Sequence, residues 1–159
     1  EWRERVALAH DFEAISANQN AQARGIDFQG LFGRLVEREG WSQEESVRTS
    51  NEEIDLVIRR GREYYLVECK WLRDPVQTHV VSDLYGKLTV RASTDGIIVS
   101  MSGFASGAES RAVEFSRDRH ILFFGPEEVR ELVSDRTAFT ALLDEKIDEL
   151  VKRRKVEWR

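Results

Sequence analysis

One cysteine, one methionine, two prolines and three histidines in 159 residues exclude several kinds of chemistry at once. Cys69 is alone, so the chain closes no internal disulfide and builds no thiolate zinc cage. His10, His79 and His120 lie far apart without ligand spacing, which argues against histidine-based metal chemistry. No apolar run approaches the roughly 20 residues of a membrane span, so no membrane partner is expected. The opening Glu-Trp-Arg-Glu-Arg has no leader-like stretch and no initiator methionine, as expected of a domain cut from a longer protein. Scarce proline and ten glycines also argue against disordered or fibrous chains.

What remains is a chain of one-domain length, 41% hydrophobic and 33% charged, with the profile of a globular, cytoplasmic protein. Its net charge of −5 argues against coating nucleic acid through bulk positive charge, while leaving room for a local basic face.

The hydrophobic pattern predicts a helix over residues 1–20 with Trp2, Val6, Ala9 and Phe12 along one side. A polar stretch, Ser16 to Arg24, breaks it. From Phe28 the spacing of Leu31, Phe32, Leu35 and Val36 is that of one helical stripe, with Gly40 just past its end. Strands are expected at 44–50, 53–60 and 63–71. Asp74-Pro75 reads as a cap and first helical residue, opening a helix with Val76, Val80, Leu84 and Leu88 on one face. Gly96 to Ser100 and Ile121 to Phe124 read as buried strands. Ser106 to Glu109 matches a capping box, and Gly125-Pro126 starts the next helix. Residues 137–155 form a charged amphipathic helix whose basic end, Lys152 to Lys155, suits the helix dipole. Antiparallel strands followed by strand–helix crossovers predict an α/β fold, a three-layer α/β/α sandwich around a mixed sheet. Three segments are expected: 1–24 as helix and linker, 25–135 as the functional domain, and 136–159 as a C-terminal helix.

The hairpin between the second and third strands carries the chemistry. Gly61-Arg62 suits a two-residue turn with positive φ at glycine. That register sets Arg60 against Glu63, Val57 against Leu66, and Asp55 against Glu68, with opposed Cβ atoms about 5 Å apart. Strand alternation adds Lys70 to the side of Glu68 and sends Cys69 to the other, as a small buried hydrophobe. Facing carboxylates repel, so a cation must compensate, either Lys70 itself or a bound metal. Hard oxygen ligands suit Mg²⁺ or Mn²⁺, which can acidify a water and hold a phosphoryl oxygen. An acid–acid–lysine trio is also common on solvated strands; here its apolar setting and its place before a helix cap favour a site.

Other features are weaker. Gly96 to Gly103 lacks the Lys-Ser/Thr of a phosphate loop, and Ser100, Ser102 and Ser106 match no nucleophile elbow. Trp41 and Trp71 suit packing better than base stacking. Arg59, Arg60 and Arg62 at the hairpin tip, with Arg73 and Lys87 beyond, are candidate phosphate contacts that also suit plain surface charge.

Glu53 to Ile58, followed by Leu66-Val67-Glu68-Cys69-Lys70-Trp71, resembles the Asp-(x)n-Glu-x-Lys signature of the PD-(D/E)XK nuclease superfamily. The later Gly96 to Phe104 and Ala108 are similar to the Mrr-type branch, the type IV restriction endonuclease-like domains. The resemblance spans residues 25–133. It implies a Mg²⁺-dependent DNA endonuclease, with Mn²⁺ able to substitute, that leaves a 5′-phosphate. It implies that Asp55, Glu68 and the Cys69 carbonyl ligate metal, that Lys70 is catalytic, and that Gln29 stands where relatives often carry glutamate. Such a domain is expected in a prokaryotic restriction or anti-phage defence protein, joined to recognition or sensor domains and acting as a homodimer or higher oligomer. The alternative is an inactive nuclease-like module that binds nucleic acid or a partner protein.

Overall fold

The computed structural model describes residues 2–49 and 52–159. The expected starts at Glu1 and the expected strand end at Ser50 lie outside the described residues. The elements are α1 (Trp2–Ala17), α2 (Ala21–Glu37), β1 (Ser42–Arg48), β2 (Glu53–Arg60), β3 (Glu63–Lys70), α3 (Thr78–Thr89), β4 (Thr94–Ser100), α4 (Ser106–Phe115), β5 (Ile121–Phe124), α5 (Pro126–Val133) and α6 (Phe139–Arg153). The sheet runs β1-β2-β3-β4-β5. Its first two pairings are antiparallel and its last two parallel, so β3 is the junction between the two modes.

Alternation along the strands gives the sheet two apolar faces. Leu56, Ile58, Val67, Cys69, Ile97, Val99, Leu122 and Phe124 join a cluster with residues of α1, α2, α5 and α6. Leu66, Ile98, Ile121 and Phe123 join a second cluster with Val81, Leu84 and Leu88 of α3 and Ala108 and Ala112 of α4. The result is the α/β/α sandwich around a mixed sheet. Among the described residues, no helix is long and apolar enough to cross a membrane.

The α2 stripe is buried as its spacing requires, from Phe28 through Val36. Each such side chain contributes about 1.5–3 kcal/mol on leaving water. The helix starts earlier than its apolar pattern, because Asn20 accepts a hydrogen bond from the Ala23 N–H (3.1 Å) and caps it. On α1 the expected face packs only in its second half, where Phe12 is buried and Ala9 lies against the core. Leu8, Phe12 and Ile15 are buried, whereas Trp2 and Val6 are exposed.

Two helix starts correct the sequence reading. Val76 opens no helix; its N–H donates to Gly103 O (2.9 Å), its carbonyl accepts from Ala105 N–H (2.9 Å), and it bridges Phe104 in parallel. A buried apolar residue with a strand-like partner outcompetes the Asp74-Pro75 start, and α3 begins three residues after Pro75. The capping box at Ser106 does not form either. Ala105 is the N-cap, and Glu109 instead accepts the Trp158 indole N–H (2.8 Å). Gly96 lets α3 lie close on β4, since a Cβ there would meet Leu84 Cδ2 at 2.9 Å.

Candidate active site

Gly61 turns the hairpin with φ of 59°, and Arg60↔Glu63 through Leu56↔Val67 pair in the expected register. One step beyond, a side chain takes over from the backbone ladder: Asp55 Oδ2 accepts the Cys69 N–H at 3.2 Å. Glu68 points to the α3 side, as do Leu66 and Ile98, and is only 7% exposed. Its carboxyl lies within hydrogen-bonding reach of that of Asp55. Burial pushes the Glu68 carboxyl above its ordinary range, the Asp55 charge adds to this, and a lysine opposes both.

That lysine is Lys87, from the last turn of α3. Its Nζ donates to Glu68 Oε1 at 2.9 Å and to the Glu53 carbonyl at 2.8 Å. The sequence named Lys70 or a metal as the compensating cation; in the structure Lys87 supplies it. A signal for this was present, since the stripe of Val81, Leu84 and Leu88 lays α3 against the sheet and brings the adjoining Lys87 to β3.

Lys70 ends β3 on the Glu68 side by alternation and is half-buried. Among the described residues its ammonium has no hydrogen bond or ion pair, while its carbonyl accepts the Met101 N–H at 3.0 Å. The Cys69 thiol is buried in the opposite cluster, and burial pushes its pKa well up, so it is no nucleophile. The Cys69 carbonyl points to the same side as its N–H, toward Asp55, as both groups of one strand residue do.

Gln29 is buried and reaches Ser46 Oγ (3.2 Å) rather than either carboxylate. Ser46 has φ of 52° and sits between the pairs Glu45↔Leu56 and Val47↔Ile54, opposite Asp55. Gln29 is thus one side chain removed from the site. Arg73 is exposed on the loop after β3. The hairpin-tip arginines are at the other end of β2; Arg60 bonds Glu63 (2.8 Å) and stacks over Trp41. Arg24 was not singled out in the sequence, yet its guanidinium lies over the Trp71 ring and donates to Trp71 O (2.9 Å), bracing the loop that leaves Lys70.

Among the described residues, no group of three or more His, Cys, Asp or Glu could hold a metal by itself. Two adjacent carboxylates and a main-chain carbonyl nevertheless fit a small hard cation that keeps several waters. They suit a hard divalent ion better than one requiring a full cage of side chains.

This arrangement can be set beside known proteins. The restriction endonuclease family model Mrr_cat matches residues 20–133, more than two thirds of the chain. Comparison with curated proteins gives no match. Among solved structures, AF1548, a protein of unknown function, is similar at 23% identity and a TM-score of 0.53, over 79% of this chain and 76% of that one. The MspJI restriction endonuclease in complex with a 27-mer oligonucleotide is similar at 16% identity and a TM-score of 0.51. That likeness covers 97% of this chain but 37% of MspJI, so the chain spans little more than a third of that enzyme. The chain belongs to the Mrr restriction endonuclease family and is a restriction endonuclease-like nuclease domain.

Proposed function

We propose that this domain is a metal-dependent DNA endonuclease that hydrolyses phosphodiester bonds. The observation that carries this reading is the carboxylate pair, Asp55 beside the buried Glu68, with the unpaired ammonium of Lys70 on the same side. Asp55, Glu68 and the Cys69 carbonyl would hold Mg²⁺, with Mn²⁺ able to substitute. When bound, such an ion acidifies water and neutralises phosphoryl charge.

The chain's own groups divide the remaining work. Asp55 is held in place by the Cys69 N–H, so its second oxygen stays directed at the site without losing side-chain freedom on binding. Lys70, without a carboxylate partner among the described residues, stabilises the negative charge that develops on the phosphate. Gln29 orients Ser46 at the rim. Arg73 is a phosphate contact, which keeps substrate register without reading bases. DNA as substrate is supported by family membership and by the oligonucleotide bound to MspJI. A setting in a prokaryotic restriction or defence protein, with recognition domains elsewhere and a homodimer to cut both strands, belongs to the same proposal.

Supercoiled plasmid incubated with the domain and Mg²⁺ or Mn²⁺ tests it. Nicked and linear products that vanish with chelator support the reading. Intact plasmid, with DNA still retained in a mobility shift, would make the domain a binding module.

A further inference from the structure

Lys87 is placed differently from a structural lysine. Its side chain is 22% exposed and contacts one carboxylate oxygen and one backbone carbonyl, which leaves a path to solvent. It stands at the end of α3, where the helix dipole favours a cation even without Glu68. The carboxylates it serves carry two negative charges against its one positive charge. A divalent ion would balance both and make the ammonium superfluous, and like charges at such close range repel.

We propose that Lys87 is an exchangeable counter-cation: it occupies Glu68 in the metal-free domain and is expelled when a divalent ion binds between Asp55 and Glu68. The inference rests on the metal-site reading above and adds a positioning residue to it. Because both cations compete for one carboxylate, each weakens the hold of the other by the same factor. Lys87 thereby keeps the buried pair from repelling before metal arrives and sets how much free metal is needed for loading.

The test uses the intact chain and the metal alone. Lysine acetylation with acetic anhydride, read by mass spectrometry, should find Lys87 protected without metal and about fivefold or more reactive with Mg²⁺. Exposed Lys152 serves as the unchanged reference. In parallel, Mn²⁺ titration followed by electron paramagnetic resonance should show Lys87→Met binding about fivefold or more tightly than wild type. Lys87→Arg should stay near wild type. Metal that binds while Lys87 remains protected, or a Lys87→Met affinity equal to wild type, overturns the exchange and leaves the metal site standing. Absence of Mn²⁺ binding by wild type overturns both. Should Lys87→Met not fold, wild-type acetylation still decides the matter.

Discussion

Among the described residues, two glutamate–lysine pairs lie inside this molecule, and they are built for different ends. Glu128 at the start of α5 is 1% exposed and fully served: Lys146 Nζ at 2.7 Å, Gly125 N–H at 3.0 Å and Arg159 N–H at 3.1 Å all reach its carboxylate. Lys146 also donates to Glu157 O (2.8 Å), so this pair ties α5, α6 and the chain's last residues together. Glu68 is nearly as buried, yet it has one lysine and a second carboxylate beside it. A buried charge met by three donors, one of them a lysine, does structural work. A buried charge left with an acidic neighbour and a removable cation is poised to take something else.

The contrast breaks most sharply at Asp55. Asp55→Asn keeps an acceptor for the Cys69 N–H but removes a ligand charge, so plasmid cleavage should fall about 10³-fold, equivalent to about 4 kcal/mol. Its metal-free melting temperature should hold or rise, because repulsion with Glu68 is relieved. Cleavage at the wild-type rate would place the site elsewhere.

Removing the cation of the complete pair acts on stability with the opposite sign. Lys146→Met strands Glu128 and should destabilise the domain by about 3 kcal/mol in denaturant titration. That is the low end for a broken buried pair, because Arg159 remains beside Glu128. An unchanged midpoint would make the two pairs equivalent and remove the distinction.

Lys70→Met should cost the reaction about 10²-fold, about 2.7 kcal/mol, in single-turnover cleavage. Mn²⁺ should still bind. If the variant loses metal as well, Lys70 holds the site together rather than serving the chemistry.

The smallest effect is on pH dependence. The folded carboxyl of Glu68 titrates above its ordinary value of 4.5, so between these two pKa values the folded state holds more protons than the unfolded state. This group's contribution to metal-free stability therefore grows as pH falls through the folded pKa toward 4.5, and is lost as pH rises through it. Melting curves of wild type and Glu68→Gln should converge as pH is lowered across that window. Parallel curves would show that Glu68 is not under-compensated.

The parts of this picture governed by local rules were readable from the residues. The α2 stripe follows helical period, and a glycine turn was enough to set the β2–β3 register and thus bring Asp55 and Glu68 together. Failures came where a distant partner outbid a local signal. Val76 was captured by Phe104, which delayed α3, and Glu109 was captured by Trp158, which removed the expected capping box. Of the expected α1 face, Ala9 and Phe12 pack on the core with Leu8 and Ile15, while Trp2 and Val6 are exposed. Lys87 reaches Glu68 across 19 positions of sequence, a contact that depends on how close Gly96 lets α3 approach the sheet. The α3 stripe pointed Lys87 toward the sheet, but the choice of Glu68 as its partner depends on how the helix and β3 pack together.

The central claim is that the incomplete pair, Asp55 with Glu68, is a divalent metal site. Its most direct test is Mn²⁺ binding by wild type, Asp55→Asn and Glu68→Gln, measured by titration calorimetry without nucleic acid. The account predicts saturable binding of Mn²⁺ by wild type and its loss in both variants, with each variant still cooperatively folded. Equal binding by all three proteins, or none by wild type, would contradict it.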